Sequence, residues 1–312
     1  MKLLIAYDGS HCSESALDDI CRAGLPEHGE ALVVTVAEVW LPPPELAGEE
    51  PETNSFIEDA VRSYREKGER LVNEAAILAE HAATRVSRML PGWSVKPLAT
   101  YGSPAWEVIS AADEFEPDLI IIGSHGRSVI SRMVLGSISQ KVLTEASCSV
   151  RIARGRIEID PAPGRITIGF DGSAGAMAAV ESVSIRNWPA DTEVQLIAAT
   201  DTIAPTGIGR FIPPVAEWTQ QELQQEYKWI ADLAGRAAQK LENTGLKVTT
   251  LILEGNPNTI LVSEAENWHA DCIFVGANAF GSRIERFLLG STSAAVAVRA
   301  HCSVEVVRSY NK

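Results

Sequence analysis

The chain has no uninterrupted apolar stretch approaching the ~18 residues that a membrane-spanning helix requires, so membrane insertion is not expected. Basic residues are scarce. Lys and Arg number 27 against 41 Asp and Glu, a net charge of −14, and a surface of that sign repels nucleic acid and anionic membranes at long range. Cysteine is sparse and unpatterned: Cys12, Cys21, Cys148, Cys272 and Cys302 are odd in number and contain no CxxC pair. They read as reduced thiols in small apolar niches, and Cys12, although next to His11, has no supporting catalytic constellation. A Walker lysine, a HEXXH helix and a tight carboxylate pair are also missing, which counts against efficient catalysis without excluding slow hydrolysis. Met1-Lys2 leads into a strand with no basic-then-apolar leader, so a cytoplasmic location is expected.

What is present is apolar residue in quantity, 46% of 312 residues, arranged as a repeat. Asp8-Gly9-Ser10 returns as Asp171-Gly172-Ser173, each after a short apolar run (Leu3 to Ala6, Ile166 to Phe170) and before an alanine-rich stretch. Leu135-Gly136-Ser137 returns as Leu289-Gly290-Ser291, and Cys148-Ser149-Val150 as Cys302-Ser303-Val304. The later landmarks share an offset of 154 (290 − 136 and 302 − 148), whereas the first is displaced by 171 − 8 = 163, so the first copy carries a net insertion of nine residues. Two domains of ordinary size follow, residues 1–155 and 164–312, with a linker over 156–163 that holds Pro161 and Pro163.

In the first copy the order reads strand and helix in alternation, with strands near 2–7, 31–39, 94–101, 118–123 and 149–154. Near-continuous apolar strands such as Leu119-Ile120-Ile121-Ile122 and Cys272-Ile273-Phe274-Val275 imply a parallel sheet covered on both faces, an α/β fold. Leu41-Pro42-Pro43-Pro44 opens a polar surface insertion that lasts to about Asn54. The next helix carries an apolar stripe, Ile57, Val61, Tyr64, Leu71, Ala75, Leu78, Ala82 and Val86, broken near Gly68; its counterpart shows Leu223, Tyr227, Ile230, Ala234, Ala237 and Leu241. The tyrosines of these stripes are expected in the core.

The most informative motif lies behind the strand that ends at Ile122. Gly123-Ser124-His125-Gly126 is followed by Gly136-Ser137-Ile138, so a buried strand ends in a glycine pair and a third glycine opens a helix. Such a loop presents backbone N–H groups to an anion. Gly123 permits a sharp turn, Gly126 is expected at positive φ, Gly136 leaves room for a phosphate, and Ser137 is expected to supply a hydroxyl at an N-cap. Arg127 and Arg132 are either phosphate ligands or solvated loop charges. His125 is open to a role as base or phosphate donor, with no second catalytic group visible nearby.

Gly, two residues, Gly, nine residues, Gly-Ser resembles the ATP-binding signature of universal stress proteins. The opening Leu3 to Ser10 and the closing Cys148-Ser149-Val150 extend the resemblance, and its recurrence makes the chain similar to a tandem universal stress protein over nearly all its length. The resemblance implies two tandem open parallel five-stranded sheets in the order 3-2-1-4-5, helices on both faces, of the HUP or adenine nucleotide alpha hydrolase-like type. In that order the first and fourth strands meet at the switch point where such sheets bind ligands, so Asp8 and Gly123 are expected to face one crevice. Asp8 is expected to accept from ribose hydroxyls, with helix N-capping as its other role, and adenine is placed near Val39. ATP is the implied ligand, and magnesium is left open because phosphates alone can recruit it.

In the second copy Ala279 stands where the first has Gly126, and 290 − 276 = 14 steps replace 136 − 123 = 13, so nucleotide is expected mainly in the first copy, with Gly281 able to substitute only in a rebuilt loop. Two function classes remain: an ATP-binding regulatory or stress-response protein, and a slow ATP hydrolase or adenylyl-transferring enzyme, whose usual HIGH and SGGxDS motifs are missing. The last strand of each copy would be a bare sheet edge. The two are expected to pair antiparallel within one chain, as single-domain relatives pair in homodimers, with further dimerisation through helical faces left open.

Overall fold

The computed structural model describes residues 1–39, 55–126, 135–154, 164–200, 213–277 and 289–308. The proline-rich insertion, the 156–163 linker, Arg127, Arg132, Ala279 and Gly281 lie outside the described residues.

Each short apolar run forms a strand, and each alanine-rich or amphipathic run forms the helix that returns the chain. The first half contains β1 (Lys2–Ala6), α1 (His11–Asp19) with a 3-10 turn (Ile20–Arg22), β2 (Gly29–Ala37), α2 (Ser55–Met89), β3 (Trp93–Tyr101), α3 (Pro104–Phe115), β4 (Leu119–Gly123), α4 (Ser137–Glu145) and β5 (Ser149–Ala153). The second half repeats this as β6 (Arg165–Gly169), α5 (Ala174–Ser184), β7 (Glu193–Thr200), α6 (Pro213–Glu242), β8 (Lys247–Glu254), α7 (Pro257–Asn267), β9 (Cys272–Gly276), α8 (Ser291–Arg299) and β10 (Ser303–Val307). Among the described residues no helix is long and apolar enough to cross a membrane.

Within each half the strands are parallel in the order 3-2-1-4-5, but the two sheets are not separate. They join into one ten-stranded sheet, β3-β2-β1-β4-β5-β10-β9-β6-β7-β8. The joint is the antiparallel pair β5–β10, with Ile152 opposite Val304, Arg151 opposite Glu305 and Val150 opposite Val306. Since the copies are offset by 154 here, Arg151 and Glu305 are equivalent positions that face each other, and the pseudo-twofold axis passes between them.

The two faces of the sheet are built differently. On one, residues of α3, α4, α7 and α8 pack on both halves as a single core that crosses the joint through Val150, Ile152, Val304 and Val306. On the other there are two cores, one under α1 and α2 and one under α5 and α6. Between them stands a row of buried charges. Arg151, fully buried, donates from Nε to Asp19 Oδ2 at 2.5 Å, from Nη2 to Asp19 Oδ1 at 3.1 Å and from Nη1 to Glu305 Oε2 at 3.3 Å. Glu305, also fully buried, accepts in turn from Arg186, whose Nη1 is 2.9 Å from Oε2. Burial works against the Arg151 charge, yet the adjoining carboxylates of Asp19 and Glu305 outweigh it and hold its pKa above the ordinary arginine value.

α2 is one long helix, as the stripe implies, and Gly68, where the stripe is interrupted, is buried. One expectation about the long helices is corrected. Tyr64 and Tyr227 are exposed, as is Trp229. Among the described side chains the buried positions begin at Gly68 in α2 and at Ile230 in α6, and both tyrosines precede them. An amphipathic ring tolerates water there at little expense.

Truncating the middle of the charge row should be severe, because it leaves Asp19 with an uncompensated buried charge and Glu305 with Arg186 as its remaining cation. Arg151→Met is expected to lower unfolding stability by about 3–5 kcal/mol. Denaturant titration of the full chain checks this, and a loss below about 1 kcal/mol would mean that the row is solvated or readily rearranged.

Candidate functional site

The crevice of the first half forms at the C-terminal ends of β1 and β4, which are hydrogen-bonded neighbours with Leu3 opposite Leu119 and Ala6 opposite Ile122. After β1 the chain turns at Gly9, whose φ of 74° is one that glycine adopts without strain. Asp8 Oδ1 accepts from the Ser10 N–H at 2.9 Å, and Ser10 is the N-cap of α1, its side chain accepting from the Ser13 N–H. Capping therefore falls to Ser10, and Asp8 shapes the turn.

Gly123 ends β4 against the start of α1. A Cβ there would stand 2.7 Å from the carbonyl carbon and oxygen of Cys12, so only glycine lets the strand end and the helix approach this closely. The Gly123 carbonyl accepts from Ser139 Oγ at 2.7 Å, and the Gly136 N–H donates to the Ser124 carbonyl at 2.9 Å. These two bonds bring the N-terminus of α4 onto the end of β4. A Cβ at Gly136 would sit 3.3 Å from His125 Cα and from the Ser124 carbonyl oxygen.

The loop glycine and serine act differently from expectation. Gly126 does not occupy the positive-φ region; its missing Cβ instead makes room for Asp8, since a Cβ there would lie 3.1 Å from Asp8 Oδ2. Ser137 is the first helical residue, and the N-cap is Gly136, extended at φ −61°, ψ 150°, with no side-chain cap. The first-turn N–H groups of Ser137, Ile138 and Ser139 have no acceptor within the helix, the usual condition of a helix N-terminus. Ile138 turns its side chain toward the core, so only its backbone can serve a ligand.

His125 is buried. Its Nδ1 lies 3.1 Å from Ser124 Oγ, while Nε2 is buried with no hydrogen-bond partner among the described residues. Burial, and then the nearby Arg154 charge, lower its pKa below the ordinary imidazole value and so favour the neutral ring. Val39 lies two residues beyond β2, partly buried, its N–H donating to the Ala37 carbonyl. The structure thus brings together Asp8, Gly123, Ser124, His125, Gly126, Gly136, Ser137 and Ile138, with Val39 at the same end of the sheet. Sequence reading weighed Cys12 only as a thiol and did not single out Ser139 or Arg154, although each of these two left a signal in its recurrence at the offset of 154, as Ser293 and Arg308.

The second half builds the same frame. Gly172 has φ 77°, Ser173 caps α5, Ser293 Oγ donates to the Gly276 carbonyl, and the Gly290 N–H donates to the Ala277 carbonyl at 2.7 Å. A Cβ at Gly276 would overlap the Gly175 backbone, as one at Gly123 would overlap Cys12. A cleft of about 170 Å³ lies between the end of β6, β9 and the start of α8, lined by Asp171, Ile197, Gly276, Gly290 and Ser291 among others. Among the described residues no group of three His, Cys, Asp or Glu side chains is placed to hold a metal ion.

Comparison with known proteins gives a consistent result. The model of the universal stress protein family matches residues 1–154 and again 163–308. A universal stress protein of Thermus aquaticus is 34% identical over 153 residues, 49% of this chain and 97% of its own length. One from Mycobacterium tuberculosis aligns over 325 residues at 25% identity, covering 98% of this chain and 96% of its own. The crystal structure of a universal stress protein from Archaeoglobus fulgidus covers 98% of both chains with a TM-score of 0.59 at 22% identity, a likeness of fold.

The state of His125 can be tested by linkage. Below pH 6.5 the unfolded chain binds a proton that the folded His125 does not, so stability falls as pH drops from 6.5 toward the folded pKa and then levels off. His125→Gln should remove this contribution, leaving a shallower decline than wild type in unfolding titrations between pH 7.5 and 5. Parallel profiles would show that His125 protonates as freely in the folded chain as in the unfolded one.

Proposed function

The chain belongs to the universal stress protein family, and on that footing we propose that it is an ATP-binding regulatory protein whose nucleotide sits mainly in the first-half crevice. The proposal includes two domains, residues 1–155 and 164–312 flanking the 156–163 linker, and a cytoplasmic setting. The observation that carries it is that the Asp8 carboxylate meets Gly126, and the start of α4 at Gly136 meets Ser124 and His125, at the switch point between β1 and β4. In this reading Asp8 accepts from ribose hydroxyls and the first-turn amides of α4 take the phosphates. Gly123, Gly126 and Gly136 keep side chains out of the cradle, Ser124, His125 and Arg127 border it, and the residues near Val39 meet adenine. Magnesium, if used, arrives with the phosphates. Support for a preference between halves comes from the sequence, in which Ala279 stands where the first half has Gly126 and one more residue separates the strand glycine from the helix glycine.

A slow hydrolase is the second reading. What favours it is His125, a neutral imidazole with one buried ring nitrogen unengaged and so able to accept a proton. Against it, nothing among the described residues orients that ring as a triad partner would.

Nucleotide released from the natively purified protein and identified by mass spectrometry should be ATP, at close to one per chain. Recovered ADP or AMP would favour the hydrolase, and a nucleotide-free protein that also fails to take up ATP would end both readings. Gly136→Val should weaken ATP binding at least tenfold in calorimetry, a change of about 1.4 kcal/mol, because its side chain enters the space between the cradle and His125. Unchanged affinity would place the nucleotide elsewhere.

A further inference from the structure

We infer that Arg308, which belongs to the second half, is a positioning residue for the first-half crevice, and that Arg154 of the first half does the same for the second. Each arginine holds the C-terminal end of the helix whose N-terminus forms the opposite half's cradle. Arg308 Nη2 donates to the Leu143 carbonyl at 2.6 Å and the Thr144 carbonyl at 3.5 Å, both in α4, and Nη1 donates to the Cys148 carbonyl at 3.2 Å. Arg154 Nη2 donates to the Ala297 carbonyl at 2.6 Å and the Val298 carbonyl at 3.3 Å, both in α8. The equivalence continues into the backbone: the Arg308 N–H donates to Ser149 Oγ at 3.1 Å and the Arg154 N–H to Ser303 Oγ at 3.0 Å. Every donor and acceptor in one set recurs in the other at an offset of 154, apart from the additional Cys148 bond.

Two further observations point to anchoring. First, the cradle helices lack side-chain caps of their own. α1, α5 and α7 are N-capped by Ser10, Ser173 and Asn256, whereas α4 and α8 begin at Gly136 and Gly290 with no side-chain cap, as α3 does at Ser103. They also end at Ala146 and Ala300 in extended conformation, with no left-handed glycine to close the last turn. At nine residues each they are too short to hold themselves together, and the arginine supplies hydrogen bonds and a positive charge where the last carbonyls need them. Second, these guanidinium groups are held under strained conditions. Nε of both and Nη1 of Arg154 are buried without a hydrogen-bond partner among the described residues, and burial lowers both pKa values. No carboxylate pairs with either among the described residues, so the helix-end carbonyls are the compensating groups. The chain sustains this arrangement twice.

A helix of nine residues is about 13 Å long, so a shift at its C-terminus is carried to its N-terminus rather than absorbed. Since β5 and β10 are antiparallel, the two crevices open at opposite ends of the sheet, and the crossed arginines reach from each half into the helix of the other. The consequence for ligand affinity rests on the nucleotide reading above, whereas the anchoring can be measured without any ligand.

The test is hydrogen exchange on the full-length chain, followed by ATP calorimetry. Arg308→Met should speed exchange of the α4 amides at least about tenfold and leave α8 within about twofold, and Arg154→Met should give the reverse pattern. Arg308→Lys, which keeps the charge but loses the fork, should shift α4 in the same direction by less, and it serves if the methionine variant does not fold. Equal acceleration of both helices in either variant, or of neither, would overturn the inference. In calorimetry Arg308→Met should weaken ATP binding at least tenfold although its side chain meets the far end of α4. Faster α4 exchange with unchanged ATP affinity would overturn the positioning role. Faster α4 exchange in a protein whose wild type takes up no ATP would leave the anchoring intact and reject the nucleotide reading alone.

Discussion

The rest of the structure depends on the buried charge row Asp19, Arg151, Glu305, Arg186, and above all on the pair that straddles the pseudo-twofold axis. In a symmetric dimer of one domain, the residue at the position of Arg151 would face its own copy. Two buried arginines or two buried glutamates there would repel in a medium that screens them poorly. Covalent fusion of the copies removes that restriction, and this chain places opposite signs at the two equivalent positions. Each member also keeps a partner from its own half, Asp19 for Arg151 and Arg186 for Glu305, so the row alternates in sign from one end to the other. A buried row of this kind adds little net stability over an apolar equivalent, because desolvation offsets most of the Coulomb gain. Its effect lies in register. A slip of the β5–β10 pairing by one residue would turn Arg151 and Glu305 into the continuous apolar core of the opposite face.

That register in turn fixes where the crevices can be. Because the joint is antiparallel while each half is parallel, the strand ends that carry Asp8 and Gly123 point away from those that carry Asp171 and Gly276. The halves therefore share a core and a joint but not a cleft. What connects them near the crevices is the exchange of side chains just past β5 and β10, where the backbone of each arginine is tied to a serine of the partner strand. The registry of the charge row and the reach of Arg154 and Arg308 are thus one geometric fact, since the arginines lie three residues past the positions on the axis.

Much of this was legible in the sequence, and the parts that were not share a cause. The repeat, the strand positions, the parallel order and the joining of the last strands all follow from apolar runs and the spacing of Asp-Gly-Ser and Gly-Ser, which local chemistry dictates. The contacts of Gly123 were legible only as a need for glycine; that the need comes from the Cys12 backbone is a tertiary fact. Gly126 was read by its commonest use, freedom at positive φ, when its use here is the missing side chain beside Asp8. Ser137 was taken for a cap because serine so often is one, yet Gly136 already holds the extended cap conformation. Arg151 and Glu305 were unreadable as partners, because each stands alone in a short apolar strand and its meaning lies 154 residues away. Tyr64 and Tyr227 show the converse error, where a correct helical period says nothing about how far the helix extends past its buried contacts.

The electrostatics of the first crevice set its character as a binding site. A chain of net charge −14 repels a polyanion at a distance, but at physiological salt that field decays over about 8 Å. Within that range the described groups that favour an anion are mostly not side-chain charges. Burial and Arg154 favour the neutral form of His125, and one nitrogen of the Arg154 guanidinium is engaged with the end of α8. What remains is the backbone: the first-turn amides of α4, which have no acceptor within the helix, and the dipole behind them, set against the ends of β1 and β4 by Ser139 and the Gly136 N–H. Affinity drawn from fixed dipoles needs no titration and no rearrangement of charge, but it depends steeply on where those amides are held. This is why a helix without caps at either end requires an anchor from outside its own half.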